Sequence, residues 1–144
     1  MTVAVDRKAH LDNLFAPRIW TPDLFADFWS APDLDYIASI ITDDVVGYWP
    51  GGQVARGAEE YVKVLEDLLS LLPDLRLEVP ERAMTEDGKY GFARWIMRAT
   101  GKNGRFQMVG ADRTRIRDGL VCENYVFFDS AEFAQLVGLD APGD

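Results

Sequence analysis

Residues 90–128 read YGFARWIMRATGKNGRFQMVGADRTRIRDGLVCENYVFF. The turn signals KNG and RDG divide this stretch into three strand-like runs, Tyr90 to Thr100, Phe106 to Ile116 and Leu120 to Phe128. Strands joined by turns this short pair antiparallel. A further run, Leu75 to Met84, stands in front of them behind the turn EDG, so the second half of the chain is a four-stranded meander.

Upstream, the apolar spacing changes from two to between three and four. Thr21-Pro22-Asp23 reads as a helix start, followed by Leu24, Phe25, Phe28 and Trp29 at helical intervals, and Ser30-Ala31-Pro32 ends it. A second short helix is expected from about Leu34 to Ile41, then Asp43-Asp44 and a short strand, VVGYW. After the loop PGGQVARG, residues 58–72 place Tyr61, Val62, Leu65, Leu68, Leu69 and Leu72 on one apolar stripe, and Pro73-Asp74 stops that third helix. Phe133, Leu136, Val137 and Leu139 suggest a last short helix or turn. Helices first and strands second predict a single α+β domain over residues 1–144. A long twisted antiparallel sheet curves, and helices laid across its concave side leave a cone-shaped, apolar pocket.

Composition narrows the chemistry. The chain has 144 residues and is 48% hydrophobic, enough to close a core, and it holds 15 Lys and Arg against 24 Asp and Glu, a formal charge of −9. That charge repels a phosphate backbone and disfavours nucleic acid. No apolar run is long enough for a membrane span, and the start lacks the apolar core of a signal peptide, so a cytoplasmic location is expected. His10, the single histidine, reads as a solvated tail residue, and Cys122 as a buried, inert thiol. The sequence lacks zinc-ligand spacing, GxGxxG and GxxxxGK[ST], so neither a metal nor a cofactor is expected.

Strand parity singles out one residue. Met108, Gly110, Asp112, Thr114 and Ile116 share a face, while Val109, Ala111, Arg113, Arg115 and Arg117 share the other, and the arginine face must look outward. Asp112 therefore points inward, where a carboxylate is costly unless it is hydrogen-bonded or protonated. The other reading is a carboxylate paired with Arg94 or Arg113. A two-residue turn at Asn103-Gly104 would set Trp95 opposite Asp112, with Met97 on the same face. A three-residue turn over Arg117-Asp118-Gly119 would bring Asn124 opposite Asp112, and a two-residue turn Tyr125 instead.

The segments FADFWSAPDLDYIASIITDDVV (25–46), a Pro-Gly-Gly loop ending in ARG, a helix ending in PDLRLEV, and GADRTRIRDGLVCENYVFFD (110–129) together resemble the nuclear-transport-factor-2-like superfamily, especially its SnoaL-like polyketide cyclase and ketosteroid isomerase branches. The resemblance implies a cone-shaped α+β barrel with a deep pocket, commonly dimeric through the outer sheet face. It matches Asp112 to the aspartate that is acid/base in the cyclases and oxyanion donor in the isomerases. Trp49 stands where the isomerases place their proton-abstracting aspartate, and Phe25 where they place the oxyanion tyrosine. The cyclases' pocket histidine would fall near Thr100-Gly101, where none exists. Epoxide hydrolase relatives need an Asp-Arg-Asp set where Trp95, Met97 and Val126 stand.

The expected function is thus a cofactor-independent isomerase, cyclase or lyase acting on an aromatic or polycyclic small molecule. Asp112 would be its acid/base and Asn124 or a tyrosine its partner, with Phe25, Trp29, Tyr48, Trp49, Tyr61, Trp95, Met97 and Met108 as the ligand-binding wall. A non-catalytic binding domain is the alternative. A homodimer is expected through the outer face carrying Val109, Ala111, Tyr125 and Phe127 beside Arg113 and Arg115.

Overall fold

The computed structural model describes residues 20–139; His10, expected as a solvated tail residue, lies outside them. Helices α1 (Pro22–Ser30) and α2 (Leu34–Ala38) lead into strands β1 (Ile41–Trp49) and β2 (Gln53–Arg56). Helix α3 (Ala58–Leu71) follows, then β3 (Arg76–Met84), β4 (Tyr90–Gly101), β5 (Gly104–Arg117), β6 (Leu120–Phe127) and α4 (Ser130–Val137). The six strands form one sheet in the order β2-β1-β6-β5-β4-β3. Its ends do not meet, so the α+β cone is an open, curved sheet rather than a closed barrel. None of the described helices is long and apolar enough to cross a membrane.

Local chemistry accounts for the helix starts. The Thr21 hydroxyl accepts from the Leu24 amide at 3.1 Å, with Pro22 in the first turn, and Asp129 accepts from the Glu132 amide at 2.9 Å to open α4. Phe25, Phe28 and Trp29 on α1, and Tyr61 and Leu65 on α3, are the buried stripes laid against the sheet. An ion pair from Arg82 to Asp23 at 2.8 Å ties β3 to α1 at the surface.

Four features differ from the sequence reading. Helix α2 stops at Ala38, and β1 starts at Ile41, earlier than VVGYW suggests, because Ile40 and Ile41 go into the core. The loop PGGQVARG contains strand β2, which folds back on β1 through Gly51 and Gly52 at φ 87° and 82°, a backbone shape glycine adopts freely. The sheet is mixed rather than wholly antiparallel, since β1 runs parallel to β6. Cys122 is half-buried rather than buried.

Register decides which side chains meet. Gly101 pairs with Gly104 around Lys102-Asn103, so Asp112 faces Ala93 and Trp95 faces Gly110. This is a slip of two residues from the expected pairing, and a slip of two leaves every side chain on its predicted face. At the next hairpin Asp118 and Gly119 have φ of 54° and 80°, a two-residue turn of the primed type between Arg117 and Leu120. Such a turn alone would turn Tyr125 inward. A bulge intervenes: Ile116 pairs with Val121 but Arg115 with Glu123, leaving Cys122 as the extra residue. The bulge restores the parity that puts Asn124 inside and Tyr125 outside.

Candidate functional site

The concave face of the sheet and helices α1, α2 and α3 enclose an apolar cavity. Its volume is about 60 Å³, counted as the space over which the centre of a water molecule could move. All four tryptophans of the chain, Trp20, Trp29, Trp49 and Trp95, line it. Three of these indoles lie close over inward-facing glycines. A Cβ on Gly47 would come within 2.4 Å of Trp49, one on Gly91 within 2.4 Å of Trp20, and one on Gly110 within 2.2 Å of Trp95. Leaving out the side chain at these three strand positions makes room for rings that would otherwise fill the space between sheet and helices.

Asp112 holds the polar end of the cavity. The Trp95 indole N–H donates to Asp112 Oδ1 at 2.8 Å, and Asn124 Nδ2 donates to Oδ2 at 3.0 Å. The Tyr61 hydroxyl in turn donates to Asn124 Oδ1 at 3.1 Å, which fixes the amide with its NH₂ toward the carboxylate. Burial raises the Asp112 pKa to about 6, against the opposing pull of the hydrogen bonds from Asn124 and Trp95. Burial, and then the charge of Asp112, push the Tyr61 hydroxyl far up, so it remains a neutral donor. The arginines considered as partners for Asp112 are engaged on the outer face. Arg94 pairs with Glu81, and Arg113 pairs with Glu123 while lying over the rings of Tyr90 and Tyr125, at 5.2 and 4.6 Å.

Of the residues expected in the wall, Phe25, Trp29, Trp49, Tyr61, Trp95 and Met97 line the cavity, and Tyr48 and Met108 do not. In β1 the inward positions are Gly47 and Trp49, so Tyr48 between them must point out, where it stacks on Tyr125 at 4.3 Å. Met108 is buried on the inner face, but its cross-strand partner Met97 takes the wall position. The sequence reading left out Phe28, Thr114 and Trp20 as wall residues. Trp20 is held by its amide, which donates to the Gly119 carbonyl at 2.7 Å, a chain-distant contact with no sequence signal.

A half-open sheet wrapped by helices around an apolar cavity, with one enclosed carboxyl group, defines a cone-shaped small-molecule-binding domain. The chain belongs to the SnoaL-like domain family, whose profile matches residues 23–124. No curated protein matches it significantly. Solved structures share the fold at low identity. A candidate SnoaL-like polyketide cyclase from Jannaschia is 16% identical, with a TM-score of 0.70 over 82% of this chain and 88% of its own. IdmH, a candidate polyketide cyclase from Streptomyces antibioticus, is 21% identical, with a TM-score of 0.66 over 79% and 93%. A hypothetical protein from Catenulispora acidiphila with a ketosteroid isomerase-like fold, solved in complex with trimethylamine, is 12% identical, with a TM-score of 0.71 over 84% and 96%.

Proposed function

We propose that this chain is a cofactor-independent acid/base enzyme, an isomerase, cyclase or lyase, in which Asp112 moves a proton on a small ring-bearing molecule. The observation that carries this reading is a buried carboxyl group held at both oxygens by Trp95 and Asn124 in an apolar cavity, where burial pushes its pKa up to about 6. A carboxylate of that pKa is mostly ionised at neutral pH and basic enough to take a proton from an activated C–H, then return it elsewhere on the substrate or to a leaving group. Each Asp112 oxygen accepts one hydrogen bond and keeps a lone pair for this transfer. The Asn124 amide has a second N–H beside the one it gives Asp112, a neutral donor suited to a developing oxyanion, while the Tyr61 hydroxyl commits its single proton to holding that amide in place. That neighbours of the same fold are candidate polyketide cyclases supports the reaction class.

A water centre needs roughly 10–15 Å³, so the present cavity takes a compact ligand, and a fused-ring substrate requires the indoles to move. The cavity's narrowness favours a second reading, a non-catalytic binding domain. We further propose that the chain acts as one domain in a cytoplasmic homodimer joined through the outer sheet face, where Phe92, Val109 and Phe127 are exposed. Thermal-shift screening of small cyclic ketones and phenols, followed by NMR of solvent deuterium entering the bound compound, tests the enzyme reading. Exchange that depends on Asp112 is the expected result. Ligands that bind without exchange would leave the binding domain.

A further inference from the structure

The cavity combines two features that complement one chemical class of ligand. Its wall holds four indoles and the Tyr61 ring, and the ring pairs that border it are inclined to one another rather than stacked, from Trp49 to Tyr61 at 45° up to Phe28 to Trp29 at 84°. Aromatic faces carry negative quadrupole and attract a cation close to the ring centroid. The same wall holds Asp112, which forms no ion pair among the described residues, since Arg94 and Arg113 are held by Glu81 and Glu123. Among the described residues, Asp112 on β5 and Tyr61 on α3 are the titratable side chains of the wall; α1, α2, β1, β3, β4 and β6 contribute uncharged ones, and no described lysine or arginine faces in. Once ionised, the carboxylate therefore lies against rings without a counter-charge, a costly state that a cationic ligand relieves and an anionic one worsens.

We propose that the cavity binds a compact organic cation, a methylated ammonium group, seated among the indoles with its charge toward Asp112. This rests on the reading of the cavity as a ligand site and narrows what that ligand carries. The polar inventory favours methylated over primary ammonium. Each Asp112 oxygen already accepts one hydrogen bond and keeps one lone pair, and the remaining wall is almost wholly apolar, so three N–H donors would outnumber the acceptors left, whereas methyl groups need none.

The tryptophans themselves supply the assay, because all four line the cavity and their fluorescence reports on it. Tetramethylammonium chloride, titrated against sodium chloride at constant ionic strength, should change the emission saturably. Choline should bind at least about tenfold tighter than 3,3-dimethylbutan-1-ol, which has its shape without its charge. In the parent protein, affinity for tetramethylammonium should fall about tenfold between about pH 7.5 and pH 5 as Asp112 takes up a proton, with Tyr61 neutral throughout. Asp112→Asn should show the weak affinity at both pH values; if that variant does not fold, the parent's pH series decides. Equal affinity for choline and the alcohol, a pH-independent affinity, or no saturable response to either ammonium ion overturns the proposal. Should the alcohol bind while the ammonium ions do not, the cavity remains a ligand site and only the cationic assignment falls.

Discussion

Asn124 donates to Asp112 at 3.0 Å although the two are not register partners: Asp112 faces Val126 across the ladder, and Asn124 faces Thr114. The contact is diagonal between neighbouring strands, a reach that a long polar side chain covers. It depends on two further features. The bulge at Cys122 turns Asn124 to the inner face, and the Tyr61 hydroxyl orients its amide.

Tyr61→Phe removes that orienting donor and leaves a buried amide oxygen unpaired. We expect a stability loss of about 1–2 kcal/mol in urea denaturation. Because a freed Asn124 amide can turn its oxygen toward Asp112 and favour the protonated acid, the Asp112 pKa should rise above about 6 in carboxyl-carbon NMR titration. An unchanged pKa would show that Tyr61 does not orient the amide.

Asp112→Asn separates function from stability. Turnover, once a substrate is found, should fall by roughly 10² to 10⁴. The parent's raised pKa means that the folded state binds a proton that the unfolded chain releases between about pH 4 and pH 6. The parent therefore loses stability through that window as pH rises, and the asparagine variant does not. Measured by denaturation at about pH 4 and pH 7, the difference should move in favour of Asn by on the order of 2 to 3 kcal/mol. A difference that moves the other way would mean that the carboxylate is stabilised by a partner.

Gly110→Ala should be costly for so small a change. Its Cβ would meet Trp95 at 2.2 Å and the Phe127 carbonyl oxygen at 2.7 Å, so either the indole or the strand must shift. Overpacking of this kind costs about 1–3 kcal/mol. Gly47→Ala, against Trp49 and Tyr61, should behave alike, whereas Gly51→Ala meets no atom and is strained only through its φ of 87°. Melting temperatures of the three variants check the ranking.

Phe127→Arg tests the proposed dimer. Phe127 is 55% exposed at the end of a row of stacked rings that includes Tyr48 and Tyr125, so the change should leave the monomer folded. The parent should sediment as a dimer at micromolar concentration and the variant as a monomer. A monomeric parent would remove the interface.

The meander, its faces and the inward Asp112 were legible because a period of two survives errors of two: the β4–β5 pairing slipped by two residues, yet Trp95 still reaches Asp112 diagonally. Asn124 reached the inner face by a different route from the one expected, since the turn has two residues rather than three and the bulge at Cys122 makes up the odd one. A bulge has no local signal comparable to Asp-Gly at a turn. Tyr48 was misplaced because it and Trp49 were both taken as wall, which adjacent residues of one strand cannot be. Strand β2 and the parallel β1–β6 pairing depend on contacts between distant segments, and the short run Gln53–Arg56 gives little sign of them.

The parallel pairing of β1 with β6 also bears on how the chain folds. Ile41 pairs with Val121 across nearly the whole of the meander, whereas the β4–β5 and β5–β6 hairpins close locally. Closing so long a loop carries an entropic cost before any contact offsets it, so the topology predicts that this junction forms after the hairpins. On that order the wall that Trp49 and Asn124 complete is assembled last. A chain interrupted before that step would hold a formed hairpin and an unpaired β6 edge, the species most exposed to association with its own kind.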